Sequence, residues 1–108
     1  MGGVTVPLTQ VSADYNVSAS DYTIEVTSNS INVNLPTAVG INGKIYVIKN
    51  SGSGTATVNP NGGETIDGQA SCTLSQYETL YLQSNDTGWI RAGADGTSGT
   101  SGTSGSSG

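Results

Sequence analysis

The residues that could do chemistry are few, and their types already narrow the field. The chain carries eight acidic side chains, three basic ones and no histidine. Glu64 and Asp67 flank Thr65-Ile66, and a close carboxylate pair is what acid–base cleavage of a glycosidic bond uses. Both lie beside the turn Asn59-Pro60-Asn61-Gly62-Gly63, and nothing near them would raise the pKa of either. Turn capping and solvation is therefore the stronger reading, for Asp14 and Asp21 as well. Without histidine, a catalytic triad and the commonest general base are excluded. The sequence reads as a non-enzyme.

Cys72 is the single cysteine. It alternates with Leu74, as a buried structural thiol would. One cysteine makes no internal disulfide, and without histidine the usual zinc ligand sets fail, so no metal or cofactor is implied. Tyr15, Tyr22, Tyr46, Tyr77, Tyr81 and Trp89 could form a stacking platform for sugars. Tyr22 alternates in step with aliphatics, however, and packing in a core or interface is the stronger role for the set. Two Asn-X-Ser/Thr triplets, at Asn16 and Asn85, are expected by chance in a chain so rich in these residues. Lys44, Lys49 and Arg91 are the only cations, against a net charge of −5. That leaves almost nothing to hold a nucleic-acid backbone. No run of about 18 apolar residues argues for membrane insertion, and no signal peptide is read at the N-terminus.

The elements that must position these residues read as all-β. No apolar stripe recurs at helical spacing, whereas period-two alternation is frequent. Tyr22, Ile24 and Val26 share one face of a strand, and Ile31, Val33 and Leu35 share one face of the next. Ser28-Asn29 between them reads as a hairpin turn. Asp14-Tyr15-Asn16-Val17 and Asp21-Tyr22-Thr23-Ile24 echo each other at an offset of seven, as two successive strand starts with similar turn chemistry. Lys44 to Lys49 encloses four consecutive apolar residues, Ile45, Tyr46, Val47 and Ile48, so a central strand with both faces covered is expected. Either Ile45/Val47 or Tyr46/Ile48 is expected to pack near subunit contacts. Further strands are expected at Thr55–Val58, Thr65-Ile66, Ser71–Leu74, Thr79–Leu82 and Gly88–Arg91. Leu80, Leu82 and Trp89 complete the candidate core or interface. Asn85-Asp86-Thr87-Gly88 reads as the last tight turn.

Half of the chain is Ser, Thr, Asn and Gly, but unevenly placed. All 21 Leu, Ile and Val residues fall in the first 92 positions. From there glycine recurs every third residue, at Gly93, Gly96, Gly99, Gly102, Gly105 and Gly108. Strict Gly-X-Y is the collagen pattern, because only glycine fits where three polyproline-II chains meet. This tail has no proline, so its own nucleation is weak, and a flexible linker is the competing reading. The expected layout is an N-terminal lead-in over 1–13, a β trimerisation module over 14–92 and a collagen-like tail over 93–108. A module this lean in apolar residues and without a disulfide is marginal as a lone monomer, and self-association is the remedy. A trimeric head would also hold three tails at high effective concentration.

The ordered series Asp21-Tyr22-Thr23-Ile24, Ile31-Asn32-Val33-Asn34-Leu35-Pro36, Gly43 through Thr55, Val58 through Gly68 and Leu80 through Trp89 resembles a recurring module of bacteriophage tail fibres and related virion proteins. The likeness covers roughly residues 14–92, and the Gly-Thr-Ser triplets are similar to the collagen-like segments of such fibres. The resemblance implies a small β-sandwich or β-prism-like module of short antiparallel strands in an elongated homotrimer, located in the virion and extracellular once assembled. It implies no catalytic residues. Its partners would be copies of itself and adjacent fibre segments. The alternative from another functional class is a carbohydrate- or receptor-binding tip module that takes a host-surface glycan, which predicts a concave site with an aromatic and several Asn or Asp side chains.

Overall fold

A computed structural model describes residues 5–92. Nine strands form, and among the described residues there is no helix. They are β1 (Leu8–Val11), β2 (Tyr15–Asn16), β3 (Thr23–Val26), β4 (Ile31–Asn34), β5 (Ile45–Asn50), β6 (Ala56–Asn59), β7 (Cys72–Leu74), β8 (Thr79–Ser84) and β9 (Trp89–Arg91). One sheet has the order β1-β3-β5-β8-β9 and the other β2-β4-β6-β7. The all-β expectation holds. The collagen-like tail and its six glycines lie outside the described residues.

The strand directions correct the antiparallel expectation. β1, β3 and β5 pair in parallel, as do β2, β4 and β6. Only β7, β8 and β9 join antiparallel. The expected hairpin at Ser28-Asn29 is likewise not formed, because β3 and β4 belong to different sheets. Alternation with a period of two is common to both pairing modes, so it cannot name a strand's neighbour. A hairpin would lay the apolar rows of β3 and β4 side by side. Crossing to the other sheet sets them face to face, where each covers the other. For its first six strands the chain thus winds as three stacked coils, each giving one strand to either sheet.

The corners of these coils explain the glycines after β5. A Cβ on Gly52 would lie 2.3 Å from the carbonyl oxygen of Ser28, and one on Gly54 would lie 2.4 Å from Cβ of Asn29. The corner after β3 and the corner after β5 therefore stack with no room for a side chain. Asn50 fills the inside of the upper corner and is fully buried. Its Nδ2 donates to Gly54 O at 2.8 Å and Leu74 O at 2.9 Å, and its Oδ1 accepts from Gly52 N at 3.0 Å.

Both sheets close on one apolar core. Ile24, Val26, Ile31, Val33, Leu35, Tyr46, Ile48, Leu80, Leu82 and Trp89 all belong to it, with Ala56, Val58, Cys72 and Leu74. The rings of Tyr46 and Trp89 meet with centroids 5.6 Å apart at 53°, a tilted contact that aromatic quadrupoles favour. Tyr22 is only half-buried. β5 is central in its sheet, as expected, and Leu8–Val11, within the stretch read as lead-in, is that sheet's edge strand.

Candidate functional site

Each sheet has one face on the core and one turned outward, and the two outward faces differ. On the four-stranded sheet the register aligns Asn16, Asn34 and Asn59 in one row and Asn32, Thr57 and Thr73 in the next. The asparagines bond across the strands: Asn34 Nδ2 to Asn16 Oδ1 at 3.0 Å, and Asn59 Nδ2 to Asn34 Oδ1 at 3.1 Å and to Asn32 Oδ1 at 3.3 Å. This face is polar and largely self-satisfied.

On the five-stranded sheet the outward row through the middle is Leu8, Thr23, Val47 and Tyr81. The row beside it is Ile45, Gln83 and Ile90. Leu8 is 59% exposed, Tyr81 45%, and Ile45 and Ile90 36% each. Val47, between Thr23 and Tyr81, is the only one of these apolar residues that its own chain shields. A polar row of Gln10, Glu25, Lys49 and Thr79 borders the patch. Glu25 accepts from Gln10 Nε2 and Ser51 Oγ, both at 2.8 Å, and these bonds, with Lys49 nearby, hold its carboxyl below the usual range. The described chain ends in this sheet too, with Ala92 N donating to Tyr81 O at 3.0 Å.

The structure separates the two alternatives for β5. Tyr46 and Ile48 point into the chain's own core, and Ile45 and Val47 point out. It also separates the parts of a sugar site. The asparagines lie on one sheet face, whereas the exposed Tyr81 lies on the other sheet and Tyr77 lies beside it, over Lys49.

The carboxylates serve the fold. Glu64 Oε1 accepts from Ala38 N at 2.9 Å and Oε2 from the Thr37 hydroxyl. Asp67 Oδ1 accepts from Arg91 N at 3.2 Å, and Asp14 caps Asn32 N at 2.8 Å. Asp21 departs from the solvated role expected for it, being only 7% exposed. It accepts from Thr9 Oγ1 at 2.8 Å, Tyr15 Oη at 2.7 Å, Ser18 N at 2.8 Å and Ser18 Oγ at 3.2 Å. Burial pushes its pKa up, but these four bonds outweigh burial and leave it below the ordinary value. The same contact raises the pKa of Tyr15. Asp21 thus ties β1 of one sheet to β2 of the other. Nothing in its sequence distinguishes it from the exposed Asp14 of the echo.

Cys72 is buried as expected, with Arg91 Nη2 at 3.0 Å from its sulfur. Among the described residues no three His, Cys, Asp or Glu side chains cluster to hold a metal ion, and no helix is long and apolar enough to cross a membrane. Comparison with protein-family models, with curated proteins and with solved structures finds no match to this chain.

Proposed function

We propose that this protein is a structural module that brings three copies of its own chain into register and leads them into a collagen-like stalk, as in a virion fibre. The observation that carries this reading is the uncovered apolar face of the five-stranded sheet. A sheet whose outward positions leave Leu8, Ile45, Tyr81 and Ile90 exposed has apolar area wet that a threefold contact would cover. The neighbouring Asn and Thr face shows that the same fold can clothe a sheet in polar side chains. The strand that continues into the Gly-X-Y segment belongs to the apolar sheet, so its three copies would leave the assembly close together. Their closeness supplies the effective concentration that proline-free triplets lack. Partners are then other copies of the chain and adjoining fibre segments.

The test is solution mass. The full chain and a version stopped at Ala92 should both have three times the mass of one chain. A trimer that forms only with the tail present would move the assembly function from the β module to the tail. A single-chain mass for both would refute the proposal.

A further inference from the structure

The apolar face alone is small for a stable assembly. Its five strands are three to six residues long, and at about 4.8 Å spacing and about 3.3 Å per residue they span roughly 360 Å², a little under half of what one partner buries in a standard interface. Further contact must come from elsewhere, and the two ends of β5 offer it. At its C-terminal end the turn Ser75–Glu78 lifts Tyr77 into solvent, 64% exposed. Tyr77 holds a left-handed backbone at φ +69°, a conformation that disfavours a bulky side chain. The turn is locked: Tyr77 N donates to Asn50 O, Glu78 Oε1 accepts from Ser75 N at 2.7 Å, and Lys49 Nζ donates to Tyr77 O at 3.0 Å. The Lys49 ammonium also lies 5.9 Å from the ring centroid.

At the N-terminal end of β5, about 17 Å away along the strand, a half-open cleft of about 220 Å³ lies among Pro36, Val39, Ile41, Lys44 and Tyr46. Val39 on its rim is 59% exposed. The cleft falls below the usual volume of small-molecule sites, and its walls suit one large side chain. Its cation, the Lys44 ammonium, makes a single hydrogen bond among the described residues, to Ala19 O at 2.8 Å, and lies 5.3 Å from the ring centroid of Tyr46. The turn that carries Tyr77 has a carboxylate next to it, Glu78.

We infer that Tyr77 of one chain enters the Pro36–Val39–Lys44–Tyr46 cleft of the next, with Glu78 facing Lys44. Knob and hole lie at opposite ends of one strand, so the contact is heterologous, and a threefold rotation closes it into a ring. Three sheets would then form the sides of a prism, with the strands running around its perimeter and the coils stacked along its axis. This inference rests on the proposed trimer and names the residues that join its corners.

Paired cysteines test it on the full chain. Val39 and Tyr77 are both exposed, so Val39→Cys with Tyr77→Cys should leave the fold intact by circular dichroism. The double variant should give reducible species of two and three chains on a denaturing gel, and neither single variant should. A trimeric native mass with no covalent species would overturn the inference and leave the trimer standing. A single-chain native mass would overturn both. A covalent ladder running beyond three chains would replace the closed ring with an open filament. In parallel, Tyr77→Ala should weaken assembly about 30-fold and Tyr77→Phe should preserve it. Unchanged assembly in Tyr77→Ala would refute the knob.

Discussion

On the four-stranded sheet the outward rows are Asn16–Asn34–Asn59 and Asn32–Thr57–Thr73. On the five-stranded sheet the corresponding positions carry Leu8, Thr23, Val47 and Tyr81, then Ile45, Gln83 and Ile90. Both sheets share the core and the coil geometry, and both have the same need to keep a face compatible with water. One meets it with side-chain amides that bond to each other, each such bond contributing about 1 kcal/mol at most once exchange with water is counted. The other leaves Leu8, Ile45, Tyr81 and Ile90 exposed. The difference teaches that the apolar face is not a by-product of lean composition, since polar residues were abundant enough to cover it.

The largest expected effect comes from charging that face. Ile45→Asp with Tyr81→Asp, both at exposed positions, should reduce the solution mass to that of one chain while leaving the far-ultraviolet circular dichroism unchanged. Thr57→Asp with Thr73→Asp, on the other face, should leave the mass as it is. Equal loss of mass in both pairs would erase the distinction between the faces.

The next effect compares two sides of one strand. Ile48 lies in the core with no exposed surface, and Ile48→Ala should cost about 2–5 kcal/mol in denaturant unfolding. Ile45→Ala should cost far less under conditions where the chain is dilute and monomeric. Smaller still is the amide ladder. Asn34→Ala removes its bonds to Asn16 and Asn59 and should cost about 1 kcal/mol, with no change in mass.

The smallest effect concerns Asp21, which joins the two sheets at the first coil. Its folded pKa lies below the ordinary value of 3.8. Its carboxylate therefore contributes stability above that pH, and the contribution is lost as the pH falls through the folded value. Asp21→Asn should flatten the acid limb of a stability–pH curve and leave the neutral plateau lower. An acid limb as steep as that of the parent chain would show that other carboxylates govern it.

Much of the fold was legible because alternation is a direct imprint of a half-buried sheet. Ile24/Val26, Ile31/Val33/Leu35 and Cys72/Leu74 all face the core as their spacing says. The Asn85–Gly88 turn is where its residues place it, with Asn85 Oδ1 accepting from Thr87 N at 3.2 Å and Gly88 N at 2.9 Å. The illegible parts have physical reasons. Alternation assigns faces and not neighbours, which hid the parallel coils. β1 was missed because Leu8 points outward and Val11 inward, so a strand with apolar residues on both sides loses its period. For the same reason the run from Ile45 to Ile48 read as covered on both faces, although the chain itself covers only one fully. Asn50 and Asp21 are polar residues typical of turns, and their burial depends on partners from distant strands.

The central claim is that the outward face of β5 is covered by other copies of the chain. Methyl resonances of the full chain, recorded with a soluble paramagnetic probe, test it directly. The methyls of Ile45 and Ile90 should be shielded from the probe at concentrations where the assembly forms, and that of Thr73 should be strongly broadened. Broadening of Ile45 and Ile90 as strong as that of Thr73 would contradict the account.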